Sequence, residues 1–121
     1  MFDVDDTLVQ ATVFDPTVPD NAQTPIGDVA NQLRRIRDQG FEVVLFTSRP
    51  QSTEHSTCLQ LRDAGIEFDD IIFNKPQFDL FVDNKALKFV GTWDTNTADA
   101  YMEEALLNRT IDEKRYPTFM H

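Results

Sequence analysis

Three aspartates and one lysine are the side chains of this sequence best suited to do chemistry together. Asp3 and Asp5 stand in Asp3-Val4-Asp5-Asp6-Thr7, and Asp83 stands in Asp83-Asn84 at the end of an apolar run. Between them come Thr47-Ser48-Arg49 and the lysine of Asn74-Lys75-Pro76. Alternation along an extended segment lets Asp3 and Asp5 face one side. Carboxylates gathered at one point repel unless a cation neutralises them. A small number of hard oxygen donors, with room for water and phosphate oxygens, suits Mg2+. Lys75 would offset the remaining charge and hold a carboxylate ionised. Thr47 and Ser48 offer hydroxyl and backbone donors just before a helix, whose N-terminal dipole favours anions. A nucleophilic carboxylate, a second carboxyl, Mg2+, a hydroxyl and a lysine are the parts of a phosphoryl-transfer site.

These residues are far apart in sequence, so a fold has to bring them together. Met1–Val4 reads as the tail of a strand. Residues 8–24 are rich in Thr, Pro, Asp and Asn and read as a flap, with Val13 and Phe14 on it. Thr24-Pro25 signals a helix start, followed by Ile26, Val29, Ala30, Leu33 and Ile36 at helical spacing, with Gly40 as the stop. Phe41–Phe46 reads as a buried strand, Thr53–Ala64 as a helix ended by Gly65, Ile71–Phe73 and Phe78–Val82 as short strands, and Ala98–Leu106 as an amphipathic helix. Trp93 is expected to pack that helix onto the sheet, and Cys58 to belong to the core. Residues 109–121 read as a polar tail. Alternating strands and helices predict a doubly wound, Rossmann-like α/β fold, with a parallel sheet and helices on both faces. In such sheets the binding crevice lies beyond the carboxyl ends of the strands, where every residue singled out above falls.

Length and composition narrow the choice further. A chain of 121 residues is one domain's worth, expected over 1–108. There are 21 acidic against 11 basic residues, for a net charge of −10. That balance argues against nucleic acid and anionic membranes as partners, since both need basic surface. An anionic small substrate stays compatible if a metal cation sits between it and the protein. The single cysteine permits no internal disulfide and no cysteine zinc cluster, which points to the cytoplasm. No apolar run approaches the roughly 20 residues of a membrane helix, and the opening is no signal peptide.

The order and placing of these motifs resemble the haloacid dehalogenase-like (HAD-like) hydrolase superfamily. Its Asp-x-Asp-x-Thr motif is matched by Asp3-Val4-Asp5-Asp6-Thr7, its strand-ending Ser or Thr by Thr47, its lysine by Lys75, and its acidic strand end by Leu80-Phe81-Val82-Asp83-Asn84. The likeness spans about residues 2–90 and is nearest to small capless members, some linked to surface-polysaccharide biosynthesis. It implies a phosphatase in which Asp3 attacks phosphorus. Asp5 protonates the leaving oxygen and then activates water. Thr47 holds a phosphoryl oxygen, and Lys75 steadies the charge. Mg2+ is held by Asp3, the Asp5 carbonyl and Asp83. Thr7, Ser48, Arg49 and Asn84 would line the substrate or support the ligands. Arg49, held extended by Pro50, is expected either to reach over the rim toward substrate or to be a plain surface arginine.

Members often carry two acids in the last motif, and here the second is Asn84. Only Met1 and Phe2 precede Asp3, where a central strand usually has about five residues; a very short first strand or a longer natural chain would each account for it. The gaps 8–24 and 47–75 are too short for an ordinary cap domain, so the site is expected to be open and to take a phosphorylated small molecule or saccharide-type substrate. A second subunit in a homodimer could close it, with Val13, Phe14, Tyr116 and Phe119 as candidate contacts. Two alternatives are a degenerate HAD-like fold kept for binding and a receiver-like, phospho-accepting signalling domain. The receiver would need an acid at the end of a middle strand, where this chain has Thr47.

Overall fold

The computed structural model describes residues 1–9 and 25–115, with side chains described through 112. Val13 and Phe14 of the expected flap, and Tyr116 and Phe119 of the tail, lie outside the described residues. Three short parallel strands form the sheet: β1 (Phe2–Asp3), β2 (Val44–Phe46) and β3 (Asp70–Ile72). Their order is β1-β2-β3, with Asp3 paired to Phe46 and Phe46 to Ile72. This register ends all three strands at the same level. Asp3, Thr47 and the turn before Lys75 therefore emerge on one rim.

Helix α1 (Val29–Asp38) connects β1 to β2, and α2 (Glu54–Asp63) connects β2 to β3, after a 3-10 turn over Gln51–Thr53. Both crossovers step the same way across the sheet, so right-handed connections put α1 and α2 on one face. Helix α3 (Thr95–Arg115) lies along α1, tied by Arg35 Nη2 to Asp99 Oδ1 at 2.9 Å and Gln32 Nε2 to Thr95 Oγ1 at 3.3 Å. The part of the chain read as a polar tail is thus helical as far as Arg115. Among the described residues, no helix is long and apolar enough to cross a membrane.

The core joins Val4, Leu8 and Val9 to Val29, Leu33 and Ile36 of α1, Val43 and Leu45 of β2, Leu61 of α2, and Trp93. Trp93 is 1% exposed and does what the sequence suggests. Its ring lies 5.6 Å from Phe2 of β1 and 5.4 Å, edge-on, from Tyr101 of α3. Its indole N–H donates to the Thr7 carbonyl at 2.7 Å, so the last helix and the loop after β1 share one anchor.

Four expectations need correction. The first helix begins at Val29 rather than at Pro25. Pro25 instead forms a bridge with Val9, and Gly27, at φ +57°, lies against the backbone of Trp93. This tertiary contact overrides a local helix-start signal. Asp28 precedes the helix, and its carboxylate accepts from the Asn31 and Gln32 side chains rather than capping the backbone. Second, Phe78–Val82 forms no strand. No strand pairs with it, and Leu80 and Val82 are 78% and 84% exposed. Third, two strands differ in extent: the expected Phe41–Phe46 is a strand only over Val44–Phe46, and Ile71–Phe73 shifts by one residue, to Asp70–Ile72. Fourth, Cys58 is only half-buried; burial, with Glu54 nearby, still raises its thiol pKa.

Candidate active site

The rim is built from the loops that follow the three strands. After β1 the chain turns at once: the amides of Leu8 and Val9 donate to the Val4 carbonyl at 2.9 and 3.2 Å, and that of Asp6 to the Val9 carbonyl at 2.7 Å. The turn requires Asp6 at φ +61°, a left-handed conformation that aspartate tolerates better than most residues. It leaves Asp3 and Asp5 facing the other two loops. Asp3 Oδ1 accepts from the Val4 amide at 3.0 Å and lies 3.4 Å from Lys75 Nζ. Asp3 Oδ2 has no hydrogen-bond partner among the described residues.

Thr47 is fully buried and ties the loop after β2 to β3 and to the loop that follows it. Its amide donates to the Ile72 carbonyl at 2.9 Å, its carbonyl accepts from the Lys75 amide at 2.8 Å, and its Oγ1 accepts from the Arg49 amide at 3.1 Å. Since Oγ1 accepts there, its own proton is available to donate elsewhere. Asn74, at φ +60°, donates its amide to the Arg49 carbonyl at 3.0 Å, locking the loop after β3 to the loop after β2. Lys75 is held from below as well, 5.4 Å from the Phe46 ring centroid and 5.0 Å from that of Phe78. An ammonium over aromatic faces gains attraction while its tip stays free to meet an anion.

Arg49 neither reaches into solvent nor belongs to a plain surface. Its Nη2 lies 2.7 Å from Asp5 Oδ1 and its Nε 3.1 Å from Asp5 Oδ2, a two-toothed grip on the carboxylate. Nη1 donates to Gln60 Oε1 at 2.8 Å. Sequence reasoning missed Gln60 and Thr57 of α2, which back this arginine. Their i, i+3 spacing on the helix that starts beside the rim is the signal that could have found them.

The structure thus brings together Asp3, Asp5, Thr47, Arg49 and Lys75. Thr7 joins through its backbone carbonyl, bonded to Trp93, and Ser48 is exposed beside Thr47. Asp83 and Asn84 are exposed, and among the described residues no hydrogen bond or ion pair ties them to the rim. Among the described residues, no three of His, Cys, Asp and Glu gather into a group that could hold a metal. Asp3 Oδ2 and the Asp5 carbonyl, to which no described backbone amide donates, are hard oxygen donors of the kind Mg2+ takes, alongside waters. They fit the ion in kind and supply two of the three expected ligands. A cleft lies where the chain enters β2, lined by Arg37, Phe41, Glu67 and Asp69, and these charges pair with one another: Arg37 Nη2 lies 2.9 Å from Asp69 and Arg37 Nη1 3.5 Å from Glu67.

No family model matches the chain, and no curated protein matches it. A crystal structure of a target protein from Vibrio cholerae superposes with a TM-score of 0.58 over 86% of this chain and 95% of that one, at 21% identity. A likeness at this identity shows a shared small α/β fold.

Proposed function

We propose that this chain is a Mg2+-dependent phosphatase that hydrolyses a phosphate monoester through an aspartyl phosphate on Asp3. The observation that carries the reading is the Asp3–Lys75 pair at 3.4 Å, set beside Asp5 and Thr47 where strands β1 and β2 end. The ammonium lies beside Oδ1, and Oδ2 is available to attack phosphorus in line with the ester oxygen. Asp5 gives a proton to the departing alcohol and then takes one from the water that cleaves the aspartyl phosphate, restoring Asp3 and releasing phosphate. Thr47 Oγ1 and Lys75 Nζ meet the phosphoryl oxygens. A bound Mg2+, held by Asp3, the Asp5 carbonyl and Asp83, would neutralise charge on the phosphoryl group.

The HAD-like, doubly wound arrangement belongs to the same proposal. It needs a further strand on the edge of β1 that β2 leaves unused, and the apolar run 78–82 suits it. That docking would carry Asp83 to the rim. A phosphorylated small molecule or saccharide is the substrate class an open rim takes, and a homodimer would cover part of the exposed apolar surface around Leu80, Val82 and Val90. The competing reading, a degenerate fold kept for binding, is motivated by Asn84, which stands where a second acid is often found. Phosphate release from a panel of monoesters, with Mg2+ present and then chelated, decides between them. Steady release that stops on chelation and returns with Mg2+ supports the enzyme, and phosphate binding without release supports the binding protein.

A further inference from the structure

We infer that Arg49 is a positioning residue for Asp5, and that α2 sets the direction of the Asp5 carboxyl through it. This inference rests on the proposed role of Asp5 as proton donor to the leaving group. All three guanidinium nitrogens are engaged. Nε and Nη2 hold both Asp5 oxygens, at 3.1 and 2.7 Å. Nη1 reaches back to Gln60 Oε1 at 2.8 Å and Thr57 Oγ1 at 3.4 Å. Thr57 is 1% exposed, so the anchor is fixed in the packed body of α2. The arginine backbone is pinned too, its amide to Thr47 Oγ1 and its carbonyl to the Asn74 amide. Its side chain is only 17% exposed. A planar fork clamped at both ends fixes the orientation of the carboxylate it holds, which a lysine's point charge cannot do. Proton donation depends steeply on such orientation.

The contacts of Arg49 assign it a narrow effect. It should matter for leaving-group departure where the alcohol needs a proton, and little where the leaving group departs unaided; kcat/KM isolates that step, because hydrolysis of the aspartyl phosphate, which also uses Asp5, comes later and is common to all esters. The test compares Arg49→Lys with the parent protein on glycerol 2-phosphate, a poor leaving group, and p-nitrophenyl phosphate, a good one. The expected result is a fall in kcat/KM of about 100-fold on glycerol 2-phosphate and less than about threefold on p-nitrophenyl phosphate. Gln60→Met should show the same selectivity at smaller size. Equal losses of kcat/KM on both esters would overturn the inference. If the parent protein releases no phosphate from either ester, the phosphatase reading fails. The coupling is then read from urea midpoints of Asp5→Asn, Arg49→Lys and the double variant. A double shift clearly smaller than the two single shifts together supports the clamp, and additive shifts overturn it.

Discussion

The ammonium of Lys75 lies 3.4 Å from Asp3 Oδ1 although Asp3 ends β1 and Lys75 follows β3, two strands that are not neighbours. Thr47 makes this possible. It directly follows β2, the strand between them, and its carbonyl accepts from the Lys75 amide at 2.8 Å. The pair is half open to solvent at Asp3 and nearly closed at Lys75, with side-chain exposures of 41% and 16%. The cation is therefore held in place while the carboxylate stays accessible. Lys75→Met should lower kcat by about 100-fold, the scale of losing one aligned donor at a charged transition state, with little change in the urea midpoint. Full activity in that variant would remove Lys75 from the site.

Thr47 separates two roles that its single hydroxyl combines. Thr47→Val leaves the Arg49 amide without its acceptor, at a cost of about 1–2 kcal/mol, and also removes the proposed donor to phosphate. Thr47→Ser keeps both. The valine variant should therefore lose stability and turnover together, while serine retains most of each. Urea unfolding and phosphate release, measured on both variants, check this. A valine variant with undiminished turnover would confine Thr47 to a structural role.

Gly27 is expected to tolerate no side chain. A Cβ there would lie 2.7 and 2.8 Å from the Trp93 carbonyl and amide, and φ is already +57°. Gly27→Ala should destabilise by more than about 2 kcal/mol, since strain adds to a backbone clash. The urea midpoint measures it. Gly40, also at positive φ but with open space around it, should cost less on the same substitution.

Asp69 ties the entrance of β2 to α1. Its carboxylate accepts from the Val43 amide at 2.8 Å and from Arg37 Nη2 at 2.9 Å. The Val43 amide, then Arg37, hold its pKa below the ordinary carboxylate value. A carboxyl whose pKa is lower in the folded state contributes stability above its unfolded pKa and loses it as pH falls through the folded value. Asp69→Asn should therefore lower the melting temperature at pH 7. The gap between variant and parent should narrow as pH drops below about 4. A gap independent of pH would point to packing instead.

Much of the rim is legible in the sequence, because Asp3, Thr47 and Lys75 each follow an apolar strand and parallel strands end on one side. The direction of Arg49 is not legible. Its partner Asp5 is 44 positions away, and local spacing carries no information about that distance. The start of α1 is misread for a related reason. Thr24-Pro25 is a sound local signal, but a contact between Gly27 and Trp93 outweighs it. Phe78–Val82 has the apolar composition of a buried strand, and composition does not say which edge, if any, will pair with it. Chelation followed by Mg2+ should bring added amide-exchange protection to residues 80–83 if docking of that segment completes the metal site. Exchange unaffected by Mg2+ would remove Asp83 from it.

The central claim is that Asp3 carries the phosphoryl group. Its most direct measurement is phosphate release by Asp3→Asn beside the parent protein, with Mg2+ saturating and folding checked by circular dichroism. The side chain keeps its size and loses its nucleophilic charge. The account predicts a folded variant with turnover below about 1% of the parent, a loss of at least about 2.7 kcal/mol in transition-state stabilisation. A folded variant that retains a tenth or more of the parent rate would contradict it.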